Sequence, residues 1–233
     1  MSDAGGGSVK LKAASAVVLC LSLVVSLVPV QAGQSSLPLY RQVIAIDPGH
    51  GGPDPGATRE GLREKDIVLD LGFRLRDVLA SAGAVTYLTR ENDGDLADQN
   101  QSLPGGRKRR DIFRRVELIN EWQPAAALSL HVNAIGSSRW RGAQVFYPPD
   151  DPQAEELAKA IQSSLTRVLK NTNRVAKVGD YRVLNDSKCP AVLVEVGFIS
   201  NPEEAALLMD ADYRQKIVWA IYLGLQEWIG VSE

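Results

Sequence analysis

Two imidazoles and a few carboxylates carry most of the chemistry this sequence could perform. His50 and His131 are its only histidines among 233 residues, and it has two cysteines, Cys20 and Cys189. That count excludes a disulfide-stapled scaffold, a zinc finger and any histidine-rich centre. A metal site could use two imidazoles at most, so a third ligand would have to be a carboxylate. Two His and one Glu, with one position left for water, is a common catalytic zinc set. Glu64, in Gly61-Leu62-Arg63-Glu64-Lys65-Asp66, competes for that place with Asp47, Asp54, Glu60 and Asp66. A carboxylate near a helix start commonly serves the helix dipole instead. Either histidine alone could equally be a hydrogen-bonded structural residue.

Glu195 stands apart because it interrupts the apolar run Ala191-Val192-Leu193-Val194-Glu195-Val196-Gly197-Phe198. Burial there would raise its pKa toward neutrality, as suits a general base that takes a proton from water. The plain alternative is a strand-end Glu paired with an Arg. Other chemistries lack their signatures: there is no His-Glu-x-x-His, Gly-x-Ser-x-Gly, Walker loop or Cys-x-x-Cys. The run Arg107, Lys108, Arg109, Arg110, Arg114, Arg115 reads first as a solvated helix face, and second as a holder of anionic wall polymer.

These residues need elements to place them. Val43–Ile46, Ala84–Leu88, Ala125–Val132, Gly142–Tyr147, Tyr181–Leu184 and Ala191–Val196 read as strands. Apolar spacing predicts helices after Asp66 (Ile67, Leu71, Leu75, Val78, Leu79), over Arg107–Trp122, after Asp151-Pro152, after Asn201-Pro202, and at the C-terminus. The alternation implies one α/β domain, a mostly parallel sheet with helices on both faces. Asp47–Gly52, Ser129–Asn133 and Glu195–Asn201 each leave the carboxyl end of a strand, the edge where such sheets bind ligands. Period two puts Ser129, His131 and Asn133 on one face and Leu128, Leu130 and Val132 on the other.

Composition is that of an ordinary globular chain: 45% hydrophobic, 23% charged, net charge −2, with no basic excess for nucleic acid. Lys10 and Lys12 precede the uncharged run Ala13–Val30, and Val30-Gln31-Ala32 offers small residues for cleavage. Residues 1–32 therefore read as a signal peptide or, if uncleaved, an N-terminal membrane anchor. Residues 33–42 read as a linker and 43–230 as the catalytic domain. Either way the remainder is expected outside the cytoplasm, touching membrane only through residues 13–30.

Taken together, Asp47-Pro48-Gly49-His50-Gly51-Gly52, Glu64-Lys65-Asp66, Ser129-Leu130-His131-Val132-Asn133 and Glu195-Val196-Gly197-Phe198-Ile199-Ser200-Asn201-Pro202 resemble the zinc-dependent N-acetylmuramoyl-L-alanine amidases. The resemblance is collinear from about Val43 onward. It implies one Zn²⁺ per chain on His50, Glu64 and His131, with Glu195 as the catalytic glutamate. It also implies a six-stranded, mostly parallel sheet and peptidoglycan as substrate, cut between the muramic acid lactyl group and the first alanine of the stem. Ser137-Ser138-Arg139-Trp140, Asn171-Thr172-Asn173-Arg174 and Ala220-Ile221-Tyr222 resemble the spore-cortex, germination branch, which works in muramic δ-lactam formation. The alternatives are a general wall amidase, a zinc exopeptidase, or a wall-binding module that has lost catalysis. In such a mechanism a backbone N–H among the glycines after His50 would help the zinc hold the oxyanion, and proximity in sequence offers Asp47 and Asn133 as imidazole partners. An activating protein is not legible in the sequence.

Overall fold

The computed structural model describes residues 39–100 and 105–231. The segment read as targeting, residues 1–32, lies outside the described residues. In chain order the elements are β1 (Val43–Pro48), β2 (Thr58–Arg59), β3 (Leu62–Arg63), α1 (Glu64–Ser81), β4 (Val85–Leu88), a 3₁₀ turn (Ala97–Asn100) and α2 (Arg107–Trp122). There follow β5 (Ala126–Asn133), β6 (Gln144–Tyr147), α3 (Pro152–Leu169), β7 (Lys177–Val178), α4 (Arg182–Asn185), β8 (Ala191–Phe198), α5 (Pro202–Met209) and α6 (Ala211–Val231). Six strands form one sheet in the order β4-β1-β5-β8-β6-β7, and β2 and β3 form a separate two-stranded ribbon. Within the six-stranded sheet pairing is parallel except between β6 and β8, and the β2–β3 ribbon is antiparallel. This is the expected α/β domain with its mostly parallel six-stranded sheet.

Its two faces are unequal. Ile44, Ile46, Leu128, Leu130, Val192 and Val194 meet α1, α3 and α6 in the main core. On the other face, Ala45, Ala127, Ala191 and Leu193 meet Ile119 of α2 and Val183 and Leu184 of α4. The strands are thus buried on both sides, as helix-covered parallel sheets are. Asp47, Ser129, His131 and Glu195 continue this second face: Asp47 and Ser129 are buried, Asp47 against Arg115 of α2, while His131 and Glu195 are half-buried. Packing begins at Leu39, which is fully buried, within the stretch read as linker.

Two local expectations fail. Tyr181–Leu184 is not a strand: Leu184 N and Asn185 N both donate to Tyr181 O, making one helical turn that buries Val183 and Leu184. Four apolar-rich residues satisfy either period, and here tertiary packing decides. The sixth strand is β7 instead. Helix α1 begins at Glu64 rather than behind an Asp66 cap. Glu64 N donates to Ala57 O at 2.8 Å and Lys65 N to Pro55 O at 3.2 Å, so the preceding loop satisfies amides that a capping side chain would otherwise take. The caps at Asp151 and Asn201 are present: Asp151 accepts from Ala154 N, and Asn201 from Glu203 N and Glu204 N.

Candidate metal and catalytic site

The central strands β1, β5 and β8 are neighbours and parallel, so their carboxyl ends share one edge. Register sets Asp47 of β1 opposite Ser129 of β5, and His131 of β5 opposite Glu195 of β8. The three loaded strand ends therefore converge as expected.

Beyond β1 the chain turns sharply. His50 adopts a left-handed backbone, φ 62°, uncommon for a residue with a side chain. Two buried arginines hold this turn by its carbonyls. Arg90 donates to Pro48 O (2.9 Å) and Gly49 O (3.0 Å), and Arg115 to Pro48 O (2.7 Å) and to His50 O. Arg115 also pairs with Asp47 (2.7 Å) and Asp111 (2.8 Å). Thr89 and Ser129 hydroxyls donate to Asp47 at 2.6 and 2.7 Å. Burial alone would push the Asp47 carboxyl up, but Arg115 and the two hydroxyls bring it down to about 2. Arg115 is 3% exposed, so the reading of its basic run as a solvated face fails there.

Glu64, the first residue of α1, reaches both imidazoles. Its Oε1 lies 3.1 Å from His50 Nε2 and 3.0 Å from His131 Nδ1, and also accepts from Val132 N at 2.9 Å. Its Oε2 accepts from Ala57 N at 2.8 Å, which fixes the carboxylate plane. Burial would raise this acid; the bonds from His131 and His50 outweigh it and hold the carboxyl well below its ordinary value. On the other side of the ring, His50 Nδ1 lies 3.0 Å from Asp54 Oδ2. Burial lowers the His50 pKa, but Glu64 and Asp54 raise it overall. One ligand atom from each of His50, Glu64 and His131 can be chosen so that all lie within 4.8 Å of one another. Two nitrogens and a carboxylate oxygen suit a divalent transition ion, and Asp54 supplies the usual outer carboxylate that fixes a ligating histidine's tautomer. The residues fit the group.

Two absent side chains make this convergence possible. A Cβ on Gly49 would come 2.3 Å from His131 Cε1, and one on Gly56 would come 2.5 Å from Glu64 Oε2.

The remaining carboxylates separate cleanly. Glu60 pairs with Arg59 (3.1 Å) and Asp66 with Arg63 (2.6 Å), both away from the imidazoles. Asp47, expected as an imidazole partner, is committed to Arg115 instead, and Asn133 lends its carbonyl to Ile199 N (2.9 Å). The glycine amides after His50 are also taken: Gly51 N donates to Asp54 O and Gly52 N to Asp93 O. The expected oxyanion donor is therefore not among them. Sequence reasoning missed Asp54's role and the Arg90–Arg115 clamp; the four-residue spacing of His50 and Asp54 was the one available clue.

Glu195 lines a cleft of about 240 Å³ together with His50, His131 and Tyr181. Its Oε2 is buried with no hydrogen-bond partner among the described residues. Burial pushes its carboxyl up to about 7, with Glu64 adding to the rise and the imidazoles opposing it. Among the described residues no arginine pairs with it, so the expected alternative of a strand-end ion pair is not found there. The cleft thus presents a three-ligand cluster beside a carboxyl able to exchange a proton near neutral pH.

Comparison with known proteins gives the same direction. The family described as N-acetylmuramoyl-L-alanine amidase matches residues 44–227. The germination-specific N-acetylmuramoyl-L-alanine amidase of Bacillus subtilis is 46% identical over 192 residues, which is 82% of this chain and 81% of that protein. LytC, another N-acetylmuramoyl-L-alanine amidase of Bacillus subtilis, is 34% identical over 195 residues, 83% of this chain and 36% of LytC. The CwlD amidase of Clostridioides difficile, solved in complex with the GerS lipoprotein, superposes with a TM-score of 0.78 at 39% identity. That match covers 82% of this chain and 100% of the solved one. With the matched span running from β1 into α6, the chain belongs to the N-acetylmuramoyl-L-alanine amidase family.

Proposed function

We propose that this enzyme hydrolyses the amide between N-acetylmuramic acid and L-alanine in spore-cortex peptidoglycan, with one zinc ion held by His50, Glu64 and His131. The observation that carries the reading is the meeting of the three ligand atoms beside an unpartnered Glu195 oxygen in one cleft. When bound, zinc supplies Lewis acidity to the amide carbonyl and lowers the pKa of water. Glu195 accepts a proton from the attacking water, whose oxygen bonds to the lactyl carbonyl carbon. It then delivers that proton to the alanine nitrogen as the C–N bond breaks, leaving a lactyl carboxylate and a free amine. Asp54 holds the His50 ring so that Nε2 faces the cluster.

The 46% identity to a germination-specific amidase favours the cortex over general wall turnover. It also supports export, with residues 1–32 as the targeting segment. The CwlD relative's GerS complex supports a lipoprotein partner here as well. The test is digestion of purified cortex and vegetative sacculi. New alanine amino termini that vanish with chelator, return with zinc and are absent in His131→Ala are expected. Released free amino acids would instead make the enzyme an exopeptidase, and binding without products would make it a wall-binding module.

A further inference from the structure

The cations of α2 differ in how fully carboxylates hold them. Arg107 pairs with Asp95 and Asp98, Arg115 with Asp47 and Asp111, and Arg114 with Glu117 and Glu121. Lys108 and Arg109 are different. The Lys108 ammonium comes no nearer than 3.8 Å to a carboxylate among the described residues, Asp54, and its side chain is 72% exposed. Arg109 has no carboxylate within salt-bridge distance among the described residues; its guanidinium lies over the Phe113 ring, 5.2 Å from the centroid. Arg182 of α4 lies 4.9 Å from that same ring and pairs with Asp186. Phe113 therefore gathers two guanidiniums, one from α2 and one from α4, which repel each other and gain from a shared anion.

The position of these cations is specific. Lys108 and Arg182 line the cleft that holds His50, His131 and Glu195. Lys108 reaches Asp54 Oδ2, the same oxygen that lies 3.0 Å from His50 Nδ1. An anion on Lys108 thus sits about one residue's width from the imidazole, close enough to belong to the molecule being cut. The glycan side of the scissile amide is neutral; free carboxylates lie on the peptide side. Resting on the amidase reading above, we infer that Lys108, Arg109 and Arg182 form a ledge, stiffened by Phe113, that binds a carboxylate of the leaving peptide. Guanidinium forks match a carboxylate bidentately, and a cation at a partly desolvated rim gives specificity. The ledge selects acidic stems and fixes which end of the substrate faces α2.

The experiment uses the full chain carrying Glu195→Gln, and two muropeptides that differ only in carrying stem carboxylates free or as carboxamides. The free-acid form is expected to bind about tenfold more tightly. Lys108→Gln with Arg109→Gln, both on the exposed surface, should abolish that difference and leave the carboxamide affinity unchanged. In the active chain the same pair should raise KM for the acid substrate with kcat little altered. Arg182→Gln should act likewise; the Lys108/Arg109 variant decides if loss of the Asp186 pair disturbs α4. Equal affinity for the two muropeptides, or an equal loss for both on substitution, overturns the ledge. So does loss of phosphodiester-polymer binding with peptide discrimination intact, which would make these cations a wall-polymer site. Failure of the wild-type chain to cleave either muropeptide would overturn the amidase reading, while the binding comparison still judges the ledge.

Discussion

At the scale of single residues, the proposed chemistry rests on Glu195 and its register partner His131. Replacing Glu195 with Gln keeps size and hydrogen-bonding atoms but removes the proposed base. Turnover should fall about 10²–10⁴-fold with zinc content unchanged by elemental analysis. Zinc lost together with activity would make Glu195 a ligand. The same substitution has a signature in stability. In the metal-free chain burial raises the Glu195 carboxyl to about 7 from an ordinary 4.5. A raised folded pKa means that this group's contribution is fully present below about pH 4.5 and is lost as pH climbs through 7. Above pH 8 the buried charge costs about 3 kcal/mol, so Glu195→Gln should stabilise chelator-treated protein there and do little at pH 4. Urea unfolding at the two pH values measures this; equal effects at both would mean the carboxyl is not desolvated.

At the scale of elements, the turn after β1 and its arginine clamp decide whether the ligands meet. Gly49→Ala would drive a methyl into the His131 ring, with a 2.3 Å approach to relieve. Zinc affinity is expected to drop at least tenfold while the fold, by circular dichroism, persists. Arg115→Met strands the Asp47 carboxylate in the interior and should cost about 3–5 kcal/mol in urea unfolding. Adding Asp47→Asn should recover part of that loss; no recovery would place the effect in the carbonyl contacts to Pro48 and His50. These contacts also mark where sequence reading stops. Period-two alternation placed His131, and the apolar run around Glu195 announced a perturbed acid, because both signals are local. The clamp joins Asp47 to Arg115 across 68 positions, and no local pattern distinguishes Arg115 from its solvated neighbours. Asp54 and Glu64 looked alike as carboxylates near a turn; only the fold of the 51–57 segment separates ligand from ring partner. Tyr181–Leu184 failed for the opposite reason, since its pattern was local but too short to choose between strand and helix.

At the scale of the whole molecule, the catalytic unit and the proposed targeting segment are tested separately. Residues 1–40 fused to a reporter that works only outside the cytoplasm should render it active; a silent, cytoplasmic reporter would remove export from the proposal. Mass spectrometry of the mature N-terminus then tells a cleaved signal from a retained anchor. The clamp under the cleft has a consequence of another kind. Its acid, Asp47, stays ionised down to about pH 2, and Arg90, though lowered by burial, still holds its proton to about 10, with Arg115 above its ordinary value. Mild acid therefore protonates Glu195, and His50 whose pKa burial lowers but Glu64 and Asp54 raise overall, without touching what supports them. The enzyme should behave as a latch with a fixed keeper: silent and metal-free at pH 5, yet unchanged in backbone hydrogen exchange over 43–52. Neutralisation with zinc should restore full activity within mixing time, with no refolding phase. A slow recovery, on the minutes scale of chain rearrangement, would show that the floor of the cleft had come apart with its chemistry.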